Sequence, residues 1–147
     1  MKKIIIAIVL LNFYSCATNR VLITVECKLN DAKGSRVTIN IPKYKNQQVI
    51  KADAEEGVEY VFWYKDSSAI YVSTFKGGAN LNYENIRNTP DAYNKRFSST
   101  NVNLQGVDVA GKAWREIKRE DLYVGYFRIN MKDKQVFDQA IDDYILK

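Results

Sequence analysis

Histidine is absent from the whole 147-residue chain. Its absence excludes the usual serine and cysteine triads, the common proton shuttle at neutral pH and the most frequent zinc ligand. Cysteine occurs twice, at Cys16 and Cys27, with no CxxC spacing. Neither has a histidine beside it in sequence to lower its pKa. Proline also occurs twice, and no Pro- or Ser-rich linker, internal repeat or low-complexity run divides the chain. The stretch "KGG" at 76–78 lacks the Lys-Thr or Lys-Ser of a phosphate loop. Acids pair up only as sequence neighbours, at Glu55-Glu56, Glu120-Asp121 and Asp142-Asp143. Adjacent acids point apart on a strand and lie about 100° apart on a helix, so they do not face each other across a substrate. These absences leave no catalytic residue, cofactor or metal site to expect.

Long apolar runs are missing too. The longest, residues 4–11, has eight residues, and even at eleven residues such a helix rises only about 16 Å, roughly half the hydrocarbon layer. What this segment does have is the order of a secretory signal: a basic start at Met1-Lys2-Lys3, the apolar run, and the short exit "NFYS" before Cys16. The positions Phe13, Tyr14, Ser15, Cys16 resemble the type II, or lipoprotein, signal peptide of bacteria. That resemblance implies cleavage after Ser15 and lipidation of Cys16, which anchors the mature chain to a membrane. The residues that follow, "ATNR", carry no acid at the second mature position. In lipoproteins of the enteric type that implies the periplasmic side of the outer membrane. Cys27 is then the single remaining thiol, unable to form an intramolecular disulfide and expected to be covered or unpaired.

Without residues 1–15 the chain has 20 basic and 17 acidic residues, interspersed as in "KAWREIKRED". A balance this even, with no basic stripe, gives no reason to expect nucleic acid. After the signal, residues 16–34 read as lipidated cysteine, tether and possible first strand, "VLITVEC" being β-prone and "LNDAKGS" turn-like. Residues 35–147 suffice for one domain with a core and not for two.

Most of that domain reads as strands. "SRVTINI" alternates up to Pro42, and "EYVFWYKD" with "AIYVSTF" predicts a hairpin around Asp66-Ser67-Ser68. Tyr60, Phe62 and Tyr64 share one face of the first arm and Val61 and Trp63 the other, so both faces are expected to be covered. Residues 76–100 lose the alternation and read as a long connection with one short helix at 90–97, Pro90 near its first turn. A second hairpin follows, from 113–118 to 122–129 across "RED". Beyond Asn130, read as an N-cap, apolar residues at 136, 137, 140, 141, 144 and 145 form one stripe of a closing helix that must lie on the sheet.

The expected class is therefore α+β, a mostly antiparallel sheet with a C-terminal amphipathic helix packed on it. From about residue 37 to 146, "VTINIPKYKN" and "WREIK...YVGYFRIN...FDQAIDDYI" weakly resemble the PsbP-like fold, a cystatin-like fold being the alternative. That resemblance implies binding or assembly work more readily than catalysis. Among the aromatics, Trp63 and Trp114 are candidates for a contact surface but also for the core, while Tyr83 and Tyr93, flanked by Asn and Arg in the long connection, are the better candidates. The sequence thus points to a non-catalytic, lipid-anchored envelope protein that binds a protein partner. A carbohydrate or peptidoglycan recognition module, or an inhibitor or immunity lipoprotein, is the alternative.

Overall fold

A computed structural model of the chain describes residues 21–29, 31, 33–51, 57–75 and 80–147. The signal-like segment and Cys16 lie outside them. Two antiparallel meanders build the main sheet: β3 (Asn46–Lys51), β4 (Val58–Trp63) and β5 (Ala69–Ser73), then β6 (Asn101–Val107), β7 (Ala113–Arg119) and β8 (Leu122–Ile129). They join where β5 pairs antiparallel with β8, giving six strands in the order β3-β4-β5-β8-β7-β6. A smaller sheet holds β1 (Leu22–Lys28), β2 (Arg36–Pro42) and the two-residue β9 (Ile145–Leu146), in the order β1-β2-β9. The first strand expected within residues 16–34 is thus β1.

Alternation along the strands assigns each residue to one of two faces. On the first face, Phe62, Ile70, Val72, Val124, Tyr126 and Ile117 meet the smaller sheet and the closing helix α3 (Lys134–Asp142). Val37, Ile39 and Ile41 of β2 and Phe137, Ala140 and Ile141 of α3 complete this core. Arg115 clamps α3 to the sheet from below, with nitrogens 2.7 and 3.0 Å from the two oxygens of Asp142 and 3.0 Å from Asp138. Tyr126 donates a further hydrogen bond of 2.9 Å to Asp138. Burial opposes ionisation of Asp138, but the bonds from Lys134, Tyr126 and Arg115 outweigh it and hold its pKa below 3.8.

Cys27 lies wholly inside this core. Burial, reinforced by the charge of Glu26, pushes its thiol up to about 12. In a Cys16→Ala chain at pH 8, Cys27 is therefore expected to take up no maleimide until denaturant is added. Native labelling at the denatured rate would contradict the burial.

Several sequence expectations need correction. The two hairpins are two three-stranded meanders, because the polar strand β3 and the strand β6 were not recognised. The closing helix opens with a 3-10 turn at Met131–Asp133, and Asn130 makes no side-chain cap. Its amide instead donates to Asp66 at 3.2 Å, and its carbonyl oxygen accepts from Lys112. The helix ends at Asp142. Tyr144 is still buried, but Ile145 has left the stripe and pairs, exposed, with Thr38 of β2. Trp63, expected to be covered, is only half-buried, its indole donating to Gln48 at 3.2 Å.

Candidate functional site

The second face of the sheet carries the features that sequence reasoning did not assemble. Tyr71, Gly125 and Glu116 stand opposite one another on β5, β8 and β7. Gly125 is the gap in this row: a Cβ there would fall 2.5 Å from the Tyr71 hydroxyl and from the Arg115 carbonyl. With no side chain between them, the Tyr71 hydroxyl crosses a whole strand and donates to Glu116 Oε2 at 2.7 Å. Two residues along, Glu59, Ser73, Tyr123 and Lys118 form the adjoining row across β4, β5, β8 and β7. A face this polar, in the middle of a sheet, needs a cover that answers its charges.

Residues 80–100 supply that cover. They fold into two short helices, α1 (Tyr83–Arg87) and α2 (Ala92–Ser98), where one helix from Pro90 to Phe97 was expected, and Pro90 stands two residues before α2 begins at Ala92. Asn82, preceding α1, does not cap it. Its amide donates at 2.9 Å to both the Tyr71 hydroxyl and the Tyr126 carbonyl. Ile86 of α1 and Ala92 of α2 pack with Leu104 and Trp114. Arg96, one helical turn after Ala92, points the same way and brings its guanidinium onto Glu116. Nη2 donates to Oε2 at 3.0 Å, while Nε approaches Oε1 to 2.8 Å as a charge contact bent away from hydrogen-bond geometry. Both side chains are 1% exposed. The Arg96 carbonyl in turn accepts from Lys118 at 2.8 Å.

One guanidinium thus serves two buried carboxylates. Burial raises the pKa of Glu116 against the pull of Arg96, and it raises that of Glu59, which has Ser73 as hydrogen-bond partner and Glu116 as like-charged neighbour. Tyr71, fully enclosed, is pushed far above 10 for the same reason. Because these acids hold protons longer when folded, the linked stability is fully present below 4.5 and is lost as pH rises through the raised values. None of the three side chains reaches solvent. The cluster therefore fixes α1 and α2 to the sheet and offers no surface to a substrate.

What those helices present outward is aromatic. Tyr93 and Phe97 lie one turn apart on α2, 40% and 49% exposed, with ring centroids 4.8 Å apart. The half-buried Tyr83 of α1 meets Tyr93 edge-on at 6.2 Å. Tyr83 and Tyr93, proposed from sequence as loop residues, are thus brought together, but on helices. Phe97 was missed, although its spacing of four from Tyr93 is the signal that could have shown it. Trp114 leaves the candidate list: it is 1% exposed, its indole lying where a Cβ on Gly106 would come within 2.8 Å. Trp63 stands apart, against Leu81, Val61 and Tyr71, and does not join the trio.

Among the described residues no cluster of three or more His, Cys, Asp or Glu could hold a metal ion, and no helix is long and apolar enough to cross a membrane. Comparison with known proteins gives no match: no family model, no curated protein and no solved structure is recognisably similar to this chain.

Proposed function

We propose that this protein is a non-catalytic, lipid-anchored envelope protein that binds a protein partner through the outward side of α1 and α2. The observation that carries the reading is the trio of exposed Tyr93 and Phe97 with half-buried Tyr83, on helices whose backs are pinned by the buried Arg96–Glu116 pair. Aromatic side chains on a rigid support bury large area at small entropic cost, the property shared by anchoring residues of protein interfaces. The rings meet at 79° and 56°, so they form no flat platform for a sugar. That argues for a protein partner over a glycan. The anchor is the lipidated Cys16, on the periplasmic side of the outer membrane, and the late hairpin with its closing helix supports a PsbP-like arrangement over a cystatin-like one.

The test has two arms. Acyl label incorporated by the wild-type chain in bacterial cells is expected to disappear in Cys16→Ala, together with membrane retention that survives a high-salt wash, since buried methylenes supply about 0.8 kcal/mol each and do not depend on salt. Tyr93→Ala combined with Phe97→Ala is expected to leave the unfolding midpoint nearly unchanged while lowering partner recovery at least tenfold, hot-spot losses being ~2 kcal/mol or more. A wild-type chain that takes no label, or undiminished recovery by the double variant, would refute the corresponding half of the reading.

A further inference from the structure

At one end of the main sheet, the loop after β2, the turn between β4 and β5 and the start of β3 enclose a cleft of about 540 Å³ lined by Lys43, Tyr44, Lys45, Tyr64, Lys65 and Asp66. Three lysines share this lining with one aspartate, and among the described residues none of the three lysines makes an ion pair. Asp66 is already engaged, accepting from the Ser68 hydroxyl at 2.6 Å and from the Asn130 amide at 3.2 Å. Among the described residues the excess positive charge is thus uncompensated.

The chain enters the fold at this same end. The Val21 carbonyl accepts from the Lys43 backbone N–H at 3.1 Å, and Val21 stands five residue steps after Cys16. Fully extended, they reach about 17 Å. Two further features share this end. The turn after β6 carries the fully exposed Val109, and Met131, about half exposed, follows Asn130. Lys112 of that turn donates to Asn130, which donates to Asp66, so the three turns are tied into one surface. By contrast α2 runs into the start of β6, which pairs with the far end of β7 at Arg119. That is the other end of strands about 20 Å long.

The geometry points to the end of the domain formed by Lys43, Lys45, Lys65, Val109 and Met131 as a docking surface for anionic phospholipid headgroups. The lysines supply the charge complement, and the two apolar tips reach the acyl boundary. Docked in this way the domain stands upright on its short tether, with the Phe97 end of the aromatic trio turned away from the bilayer. The orientation rests on the proposed anchor at Cys16, but the affinity for headgroups does not.

The full chain carrying Cys16→Ala is mixed with vesicles of phosphatidylcholine alone and with vesicles containing one quarter phosphatidylglycerol, and bound protein is read by flotation. Lys2, Lys3 and the apolar residues 4–11 are common to all variants, so differences between variants isolate the cleft. Lys43→Ala, Lys45→Ala and Lys65→Ala together are expected to lower the preference for anionic vesicles roughly tenfold to 100-fold at low salt. An environment-sensitive fluorophore on Val109→Cys is expected to shift to the blue on anionic vesicles, while one on Phe97→Cys stays in water. An unchanged preference in the triple variant, no binding to either vesicle, or a shift at 97 in place of 109 would overturn the docking surface. Lipid labelling of Cys16 in cells is scored separately. An unlabelled wild-type chain that still prefers anionic vesicles sinks the anchor alone, and a labelled chain without that preference sinks the docking surface alone.

Discussion

Replacing Arg96 by alanine is expected to cost ~3 to 5 kcal/mol, because removing one partner of a buried ion pair leaves the other charge uncompensated. Arg96 and Glu116 are each 1% exposed, and Glu116 also accepts from Tyr71, so neither water nor a neighbour can replace the guanidinium. Against a total stability of ~5 to 15 kcal/mol for a domain of this size, that loss is severe. Two further variants separate the pair's role from simple disruption. Glu116→Gln keeps an acceptor for Tyr71 and removes the charge from beside Arg96. The combination Arg96→Met with Glu116→Leu removes both charges and is expected to lose much less than the sum of the single changes. In every variant that folds but lacks the pair, amides of α2 are expected to exchange hydrogen faster than those of β8, since the helix is held to the sheet chiefly at this point. An Arg96→Ala chain that unfolds within about 0.5 kcal/mol of wild type would show that α2 is held by other contacts.

The other large effect belongs to the opposite face. Phe137 is 1% exposed and packs edge-on against Tyr64 at 5.2 Å and Tyr126 at 6.1 Å. Phe137→Ala is expected to cost ~3 to 5 kcal/mol, the sum of lost transfer energy and the cavity left between α3 and the sheet. Urea unfolding measures it directly. Unlike the loss at Arg96, this one should be largely independent of pH near neutrality, because no charge is uncovered. Leu in the same place fills much of the cavity and is expected to recover part of the loss. Equal midpoints for Phe137→Ala and wild type would mean that α3 is not docked on the sheet.

These two sites differ in how far the sequence discloses them. The stripe that buries Phe137 and Ile141 is visible at helical spacing, and the patterns of "SRVTINI", "EYVFWYKD", "AIYVSTF" and "LYVGYFRI" mark β2, β4, β5 and β8 to within three residues at each end. β3 escaped because "NQQVIK" is exposed along its whole length, an edge strand formed on the free side of β4 and not by any pattern of its own. In β6 the inward residues Val102 and Leu104 do alternate, but Gly106 takes the third inward place to admit the Trp114 ring, and the pattern is too short to read. α1 has five residues and buries only Ile86, which gives periodicity nothing to register.

The Arg96–Glu116 pair spans twenty residues, and no local rule joins its members. A partial clue lies in "AWREIKR": Trp114, Glu116 and Lys118 share one face of a strand that pairs on one side with the apolar β8. An acid in the middle of such a face must be solvated or answered, and only the structure shows Arg96 answering it. Likewise Tyr83 and Tyr93 are conspicuous in the sequence by their surroundings. Their meeting with Phe97 depends on the fold of residues 80–100.

In the proposed function, the outward side of α1 and α2 meets a protein partner while the chain is held at a membrane. A photo-crosslinking residue placed at Tyr93 in the otherwise wild-type chain, expressed in bacterial cells and activated on intact membranes, tests it most directly. One discrete protein adduct is expected from position 93, lost when Phe97 is also changed to alanine, and none from position 51, where Lys51 lies exposed at the end of the edge strand β3. The same adducts from both positions, or none from 93, would contradict it.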